Sequence, residues 1–155
     1  MFNINIKSKD DYYKIITYLF ETCDRFKVVS MYGDAKDIEK IKFTYELNTF
    51  CIEEKKVRKW PGMEKAPKSK MRIYLCNKIT LKLFKNHKNF FEYNEKDGIW
   101  SYNTFGTDRQ FDISFYNNDV CILYTIGHEG LCLSEDRELK EFLSEKNIDF
   151  EQWVN

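Results

Sequence analysis

His128 and Glu129, set between Gly127 and Gly130, form the pair in this 155-residue chain whose types best suit proton transfer. An imidazole titrates near neutral pH, and a carboxylate beside it can hold it in one orientation. Adjacent residues seldom converge on one atom, and the flanking glycines read more simply as a polar turn between strands. A small hydrolase-like enzyme built on His128 is therefore the third reading of this sequence. His87 stands among Lys85, Asn86, Lys88 and Asn89 and reads as a solvated side chain. The five cysteines, Cys23, Cys51, Cys76, Cys121 and Cys132, are scattered and make no C-x-x-C pair. They read as reduced, small, buried hydrophobes rather than nucleophiles. A zinc site needs about four nitrogen or sulfur ligands, which this spacing does not assemble. No P-loop, G-x-G-x-x-G or G-x-S-x-G motif occurs. No catalytic set, metal or cofactor is expected.

Charge carries more information than the motifs. The chain holds 25 basic and 25 acidic residues, but they are not evenly spread. Residues 53–88 have 12 bases against 3 acids, a net of +9, and residues 89–155 have 14 acids against 5 bases, a net of −9. Such asymmetry acts on partners and encounter rates rather than on the fold. In the basic segment Lys56 and Arg58 lead into Trp60, and Arg72 leads into Tyr74. Cations beside aromatic platforms suit single-stranded nucleic acid. In the acidic segment, Asp108, Asp112, Asp119, Glu129, Glu135, Asp136, Glu138 and Glu141 fall on turns, outer strand positions and the last helix, a surface that would steer a basic partner.

The elements that must position these residues follow from periodicity. Phe2, Ile4 and Ile6 alternate as a short strand, and Ser8 opens a helix over 9–24 with Tyr12, Ile15, Ile16 and Leu19 on one side. A strand over 26–32 would complete a parallel crossover. Residues 41–52 fit a hairpin turning at Asn48-Thr49, residues 55–70 a long lysine-rich loop, and 71–76 a strand, while 78–88 fit either type. In the C-terminal half a turn at Asn117-Asn118 pairs Phe115 with Val120, Ile113 with Ile122 and Phe111 with Tyr124. A loop at 127–130 then pairs Ile126 with Leu131 and Tyr124 with Leu133, on the same face. Residues 90–94 and 99–105 extend this meander to about five strands. Ser134 caps a helix over 135–146, and Asp149 starts a last turn that docks Phe150 and Trp153. The expected fold is one α+β domain, residues 1–155. Its antiparallel β-meander carries N-terminal and C-terminal helices, around a core of Phe111, Ile113, Phe115, Ile122, Tyr124, Leu139 and Phe142.

With 17% aromatic residues, no apolar run near the ~20 residues of a membrane span and no signal-like start, the chain reads as a cytoplasmic globule. This profile of small size, aromatic richness, α+β elements, no catalytic motif and lopsided charge resembles bacterial immunity and inhibitor proteins, which neutralise toxins by binding. The resemblance implies a non-catalytic protein-binding module for a basic protein partner. Tyr116, Glu129, Asp136 and Trp153 are the expected contacts. The alternative is a single-stranded nucleic-acid-binding module using Lys56, Arg58, Trp60, Arg72 and Tyr74.

Overall fold

A computed structural model of the chain describes residues 1–30, 46–94, 99–101 and 111–154. The strands are β1 (Phe2–Ile4), β2 (Arg25–Ser30), β3 (Cys51–Val57), β4 (Ser69–Leu75), β5 (Glu92–Asn94), β6 (Ile99–Ser101), β7 (Phe111–Asn117), β8 (Val120–Ile126), β9 (Leu131–Ser134) and β10 (Phe150–Gln152). Eight of them make one sheet in the order β10-β1-β9-β8-β7-β2-β4-β3, and every neighbouring pair is antiparallel. The α+β class and the antiparallel sheet hold, but the sheet exceeds the five-stranded meander. β5 and β6 do not extend it; they pair with each other as a separate two-stranded ribbon. The remaining strands of the sheet come from the first half of the chain and from its C-terminal end.

Three helices lie among the described residues: α1 (Lys9–Thr22), α2 (Lys78–Lys85) and α3 (Arg137–Glu145). Ser8 caps α1 by accepting from the Asp11 N–H at 3.1 Å. Asn77 closes a capping box on α2, accepting from the Ile79 and Thr80 N–H groups while its own N–H donates to Thr80 Oγ1. At the other end of α2, the Tyr12 and Tyr13 hydroxyls donate to the Phe84 and Lys85 carbonyls, both at 2.7 Å. Two carbonyls of the last turn are thereby bonded to α1, the Phe84 carbonyl also accepting from the His87 N–H at 3.1 Å. Asn77→Ala is expected to cost ~1 kcal/mol in a urea melt, the usual loss of an N-cap.

The helices share one face of the sheet. Tyr12, Ile15, Ile16 and Leu19 of α1, Phe84 of α2, and Leu139 and Leu143 of α3 form one cluster with Phe26, Tyr74, Ile113, Phe115 and Leu123 of the sheet. The opposite face carries a second cluster, Val29, Met71 and Ile73, roofed by Trp60 from the loop 58–68. Gly62 brings that loop onto β8: its φ is +82°, and a Cβ there would lie 2.7 Å from Ile126 Cγ1. Only glycine meets both the backbone angle and the close approach.

Several expectations from the sequence change. β1 and β2 run the same way, but three strands separate them, so α1 crosses over β9, β8 and β7 rather than between neighbours. Asn48–Phe50 is a 3₁₀ turn where the hairpin reading puts its bend, and β3 pairs with β4. Residues 31–45, which hold the rest of that hairpin, lie outside the described residues. The long loop shrinks because Lys55–Val57 and Ser69–Lys70 belong to strands. Phe150–Gln152 is a strand on β1, not a helical turn.

The β7–β8 register also differs. Its turn is Asn118-Asp119, with Asn118 at φ +51°, a left-handed conformation that asparagine tolerates. Tyr116 pairs with Cys121, but Phe115 pairs with Leu123, so Ile122 is the extra residue of a β-bulge. Ile122 stays in the core cluster as expected and Leu123 joins it, while Thr125 takes the buried position expected for Tyr124. Thr125 Oγ1 accepts from the Ile113 N–H at 2.9 Å. Tyr124 turns to the other face, where its hydroxyl meets Met1 Sδ at 3.4 Å. The β8–β9 pairs, Tyr124 with Leu133 and Ile126 with Leu131, are as expected.

Candidate functional site

α1 and α3 lie side by side on the sheet, and the seam between them is not filled. The apolar stripe of α1 that faces the core is Tyr12, Ile15, Ile16 and Leu19; a second stripe beside it, Tyr13, Thr17, Tyr18 and Glu21, is only partly covered or exposed. From α3, Leu139 and Leu143 go to the core, while Phe142 stays half-buried in the seam. Phe142 stacks on Tyr18 with ring centroids 4.4 Å apart and 28° between planes. The expectation of Phe142 as a core residue is corrected by this contact: it forms the floor of a groove.

The groove has two lobes that share Tyr18 as a wall. The aromatic lobe, about 520 Å³, is lined by Tyr13, Thr17, Tyr18, Glu21, Phe142 and Glu145, with Lys14 and Lys146 at its edge. The acidic lobe, about 300 Å³, runs from Tyr18 and Thr22 to the Asn118 turn and is bordered by Asp136 and Glu138. Burial and the negative charges of Asp136, Glu138 and Glu141 push the Tyr18 hydroxyl up to about 12. Of the nearby cations, Lys146 lines the aromatic lobe and three others are engaged. Lys14 pairs with Asp10 at 2.7 Å, and Arg137 with Glu141 at 2.9 Å. Lys140 lies over the Phe2 and Phe150 rings at 6.0 and 5.8 Å.

Of the four contacts expected from the sequence, Asp136 borders this groove. It also caps α3, accepting from the Leu139 N–H at 2.7 Å. The other three lie apart from it. Tyr116 is buried on the opposite face of the sheet, under Lys27, whose ammonium sits 4.1 Å from the ring centroid. Glu129 is exposed in the 3₁₀ turn Gly127–Glu129, with its Oε1 3.5 Å from His128 Nε2. Trp153 follows β10 at the sheet edge and donates its N–H to the Met1 carbonyl. Tyr18 and Phe142 had no place among the expected contacts, and Glu138 was expected only as part of the acidic surface. The readable signal was the Tyr13, Thr17, Tyr18, Glu21 stripe, an aromatic-bearing helix surface wider than one core face needs.

The basic segment builds a different environment from the one expected. Trp60 is 5% exposed and donates Nε1–H to Asp112 Oδ2 at 2.7 Å; Tyr74 is fully buried and stacked on Phe26. Neither ring is open to a nucleic-acid base. Arg72 is buried and pairs through Nε with Glu54 Oε2 at 2.7 Å, and Lys70 takes the other oxygen at 3.0 Å. Lys56 and Arg58 are exposed, on the outermost strand and in the loop that follows. The basic hairpin β3–β4 thus lies at one end of the sheet order, and the acid-bearing β9–α3 segment packs toward the other. Four thiols carry no activation: burial pushes Cys23 up to about 12 and Cys121 up to about 11, and raises Cys76 and Cys132 as well. Among the described residues no three His, Cys, Asp or Glu side chains gather as metal ligands, and no helix is long and apolar enough to cross a membrane. No family model, curated protein or solved structure matches this chain.

Proposed function

We propose that this protein is a non-catalytic binding module that neutralises a basic protein partner, in the manner of immunity and inhibitor proteins, and that it docks the partner on the α1–α3 groove. The observation that carries this reading is the half-buried Tyr18–Phe142 stack, whose Tyr18 also lines the lobe bordered by Asp136 and Glu138. Aromatic anchors in a concave site supply binding energy, and acids around them give sign selectivity and a faster encounter. The far sheet edge, with Lys56 and Arg58, repels the same partner and so favours one approach direction.

The test is co-expression with the proteins encoded by neighbouring genes in the native host, followed by pull-down and association kinetics. Glu138→Lys is expected to slow association by about tenfold at low salt, with a smaller change in dissociation, as for a charge at an interface rim. Glu129→Lys, away from the groove, is expected to leave the rate within about twofold. Equal effects of the two reversals, or a partner captured just as fast by Glu138→Lys, would remove the groove from the interface. Turnover of a small molecule by the isolated protein would sink the binding reading as a whole.

A further inference from the structure

The two lobes differ in what they can hold. The aromatic lobe offers rings and carries charges of both signs, from Glu21, Glu145 and Lys146, around the Tyr18–Phe142 floor. The acidic lobe offers two carboxylates and no base along its lining. Asp136 commits one oxygen to the helix cap. Glu138 forms no ion pair among the described residues, while the cations of α3 are held by Glu141 and by the Phe2 and Phe150 rings. Thr22 donates its hydroxyl to the Tyr18 carbonyl, and its oxygen lies 3.8 Å from Cys23 Sγ. Val120 adds an apolar rim, 63% exposed.

The lining favours a ligand that is cationic, packs well beside an aromatic ring and has an apolar stem for Val120. An ammonium meets the first condition but is a compact, strongly hydrated point charge. A guanidinium is planar, more weakly hydrated, stacks on aromatic rings and offers parallel donors to carboxylates. A volume of about 300 Å³ takes such a head group together with part of its methylene stem. We propose that the acidic lobe is an arginine-side-chain pocket. The partner's guanidinium lies on Tyr18 between Asp136 and Glu138, and an apolar neighbour of that arginine enters the aromatic lobe. This rests on the protein-binding reading above and names the chemistry of its contact.

The experiment titrates the full chain, labelled with ¹⁵N, with acetyl-arginine amide, acetyl-lysine amide and acetyl-citrulline amide. Citrulline keeps the shape of arginine and removes the charge. Arginine is expected to shift the amides of Thr22, Asn118 and Leu139 in a saturable way. Citrulline should need at least tenfold higher concentration, and lysine about threefold higher. The double variant Asp136→Asn, Glu138→Gln keeps a good N-cap while removing both charges, and should weaken arginine by tenfold or more. Tyr18→Phe should retain binding, and Tyr18→Leu should lose most of it.

Equal affinity for arginine and lysine would mean a diffuse attraction and overturn the pocket. So would shifts centred on Glu129 or the β3–β4 hairpin, or an unchanged affinity in the double variant. A double variant that loses arginine yet captures a basic partner at full affinity removes the pocket from the interface while the binding reading survives. A pocket that binds arginine in a protein whose partner proves acidic leaves the pocket standing and removes that reading.

Discussion

Phe26→Ala is expected to lower the free energy of unfolding by ~3–5 kcal/mol, the range for emptying a fully buried aromatic site. Phe26 is 0% exposed and sits where strands and helices meet. Its ring stacks on Tyr74 of β4 at 5.1 Å, meets Phe84 of α2 edge-on at 5.0 Å, and touches Phe115 of β7 and Phe20 of α1 at 5.7 and 5.9 Å. Removing it leaves a void that four rings on four elements would have to close together. Close-packed interiors relax only partly, so most of the contact is lost rather than rearranged. A domain of this size holds ~5–15 kcal/mol in all, so the variant would stand near the edge of folding. The measurement is the urea midpoint at unchanged slope. Phe142→Ala is the comparison. Half-buried in the groove, it is expected to cost ~1–2 kcal/mol, within the ordinary range for point substitutions. If Phe142 proved as costly as Phe26, the groove would be part of the core and the docking reading would lose its anchor.

The sequence made some of this legible and hid the rest for identifiable reasons. The α1 cap at Ser8 and its Tyr12, Ile15, Ile16, Leu19 stripe are local features, written in spacings of three and four. The β8–β9 register follows from a short loop between alternating residues. The β7–β8 register does not, because Ile122 and Leu123 are both apolar and either can face the core. The bulge at Ile122 is decided by long-range packing of Phe115 and Thr125. The wide sheet was hidden for a similar reason: β3, β4 and β10 pair with strands whose identity no local pattern names. At the candidate site, Asp136 was visible as an acid at a helix start. Tyr18 and Phe142 were not, since a helical aromatic reads as core until the neighbouring helix is known. Trp60 and Tyr74 show the converse. Cations beside aromatics suggested an open platform, yet each ring is buried, one bonded to Asp112 and one stacked on Phe26.

That buried Asp112, expected from the sequence on the outer acidic surface, governs the second large effect. It is 5% exposed, and its two oxygens accept from Gly127 N at 2.8 Å and Trp60 Nε1 at 2.7 Å. It therefore ties β7 both to the loop 58–68 and to the turn that carries His128. Asp112→Ala strands two buried donors, each costing ~1–3 kcal/mol when unpaired, so a loss of roughly 2–6 kcal/mol is expected. Burial raises the Asp112 carboxyl above its ordinary value; the bonds from Gly127 and Trp60 and the charge of His128 oppose this without cancelling it, and Glu129 adds to the rise. The sign of the pH dependence follows. A carboxyl whose folded pKa lies above its unfolded value binds more protons in the folded state between the two. Its contribution to stability therefore declines as pH rises from about 3.8 through the folded pKa, and is constant above it. The difference in urea midpoint between wild type and Asp112→Asn should show that slope, with the wild type gaining relative to the variant as pH falls. Trp60→Phe removes one of the two donors to the carboxylate while keeping an aromatic roof over Val29, Met71 and Ile73. It should move the same slope to higher pH, because the ionised form loses a bond that favoured it. A flat difference across acid pH, or a shift to lower pH in Trp60→Phe, would mean that Asp112 does not hold the loop as its geometry implies.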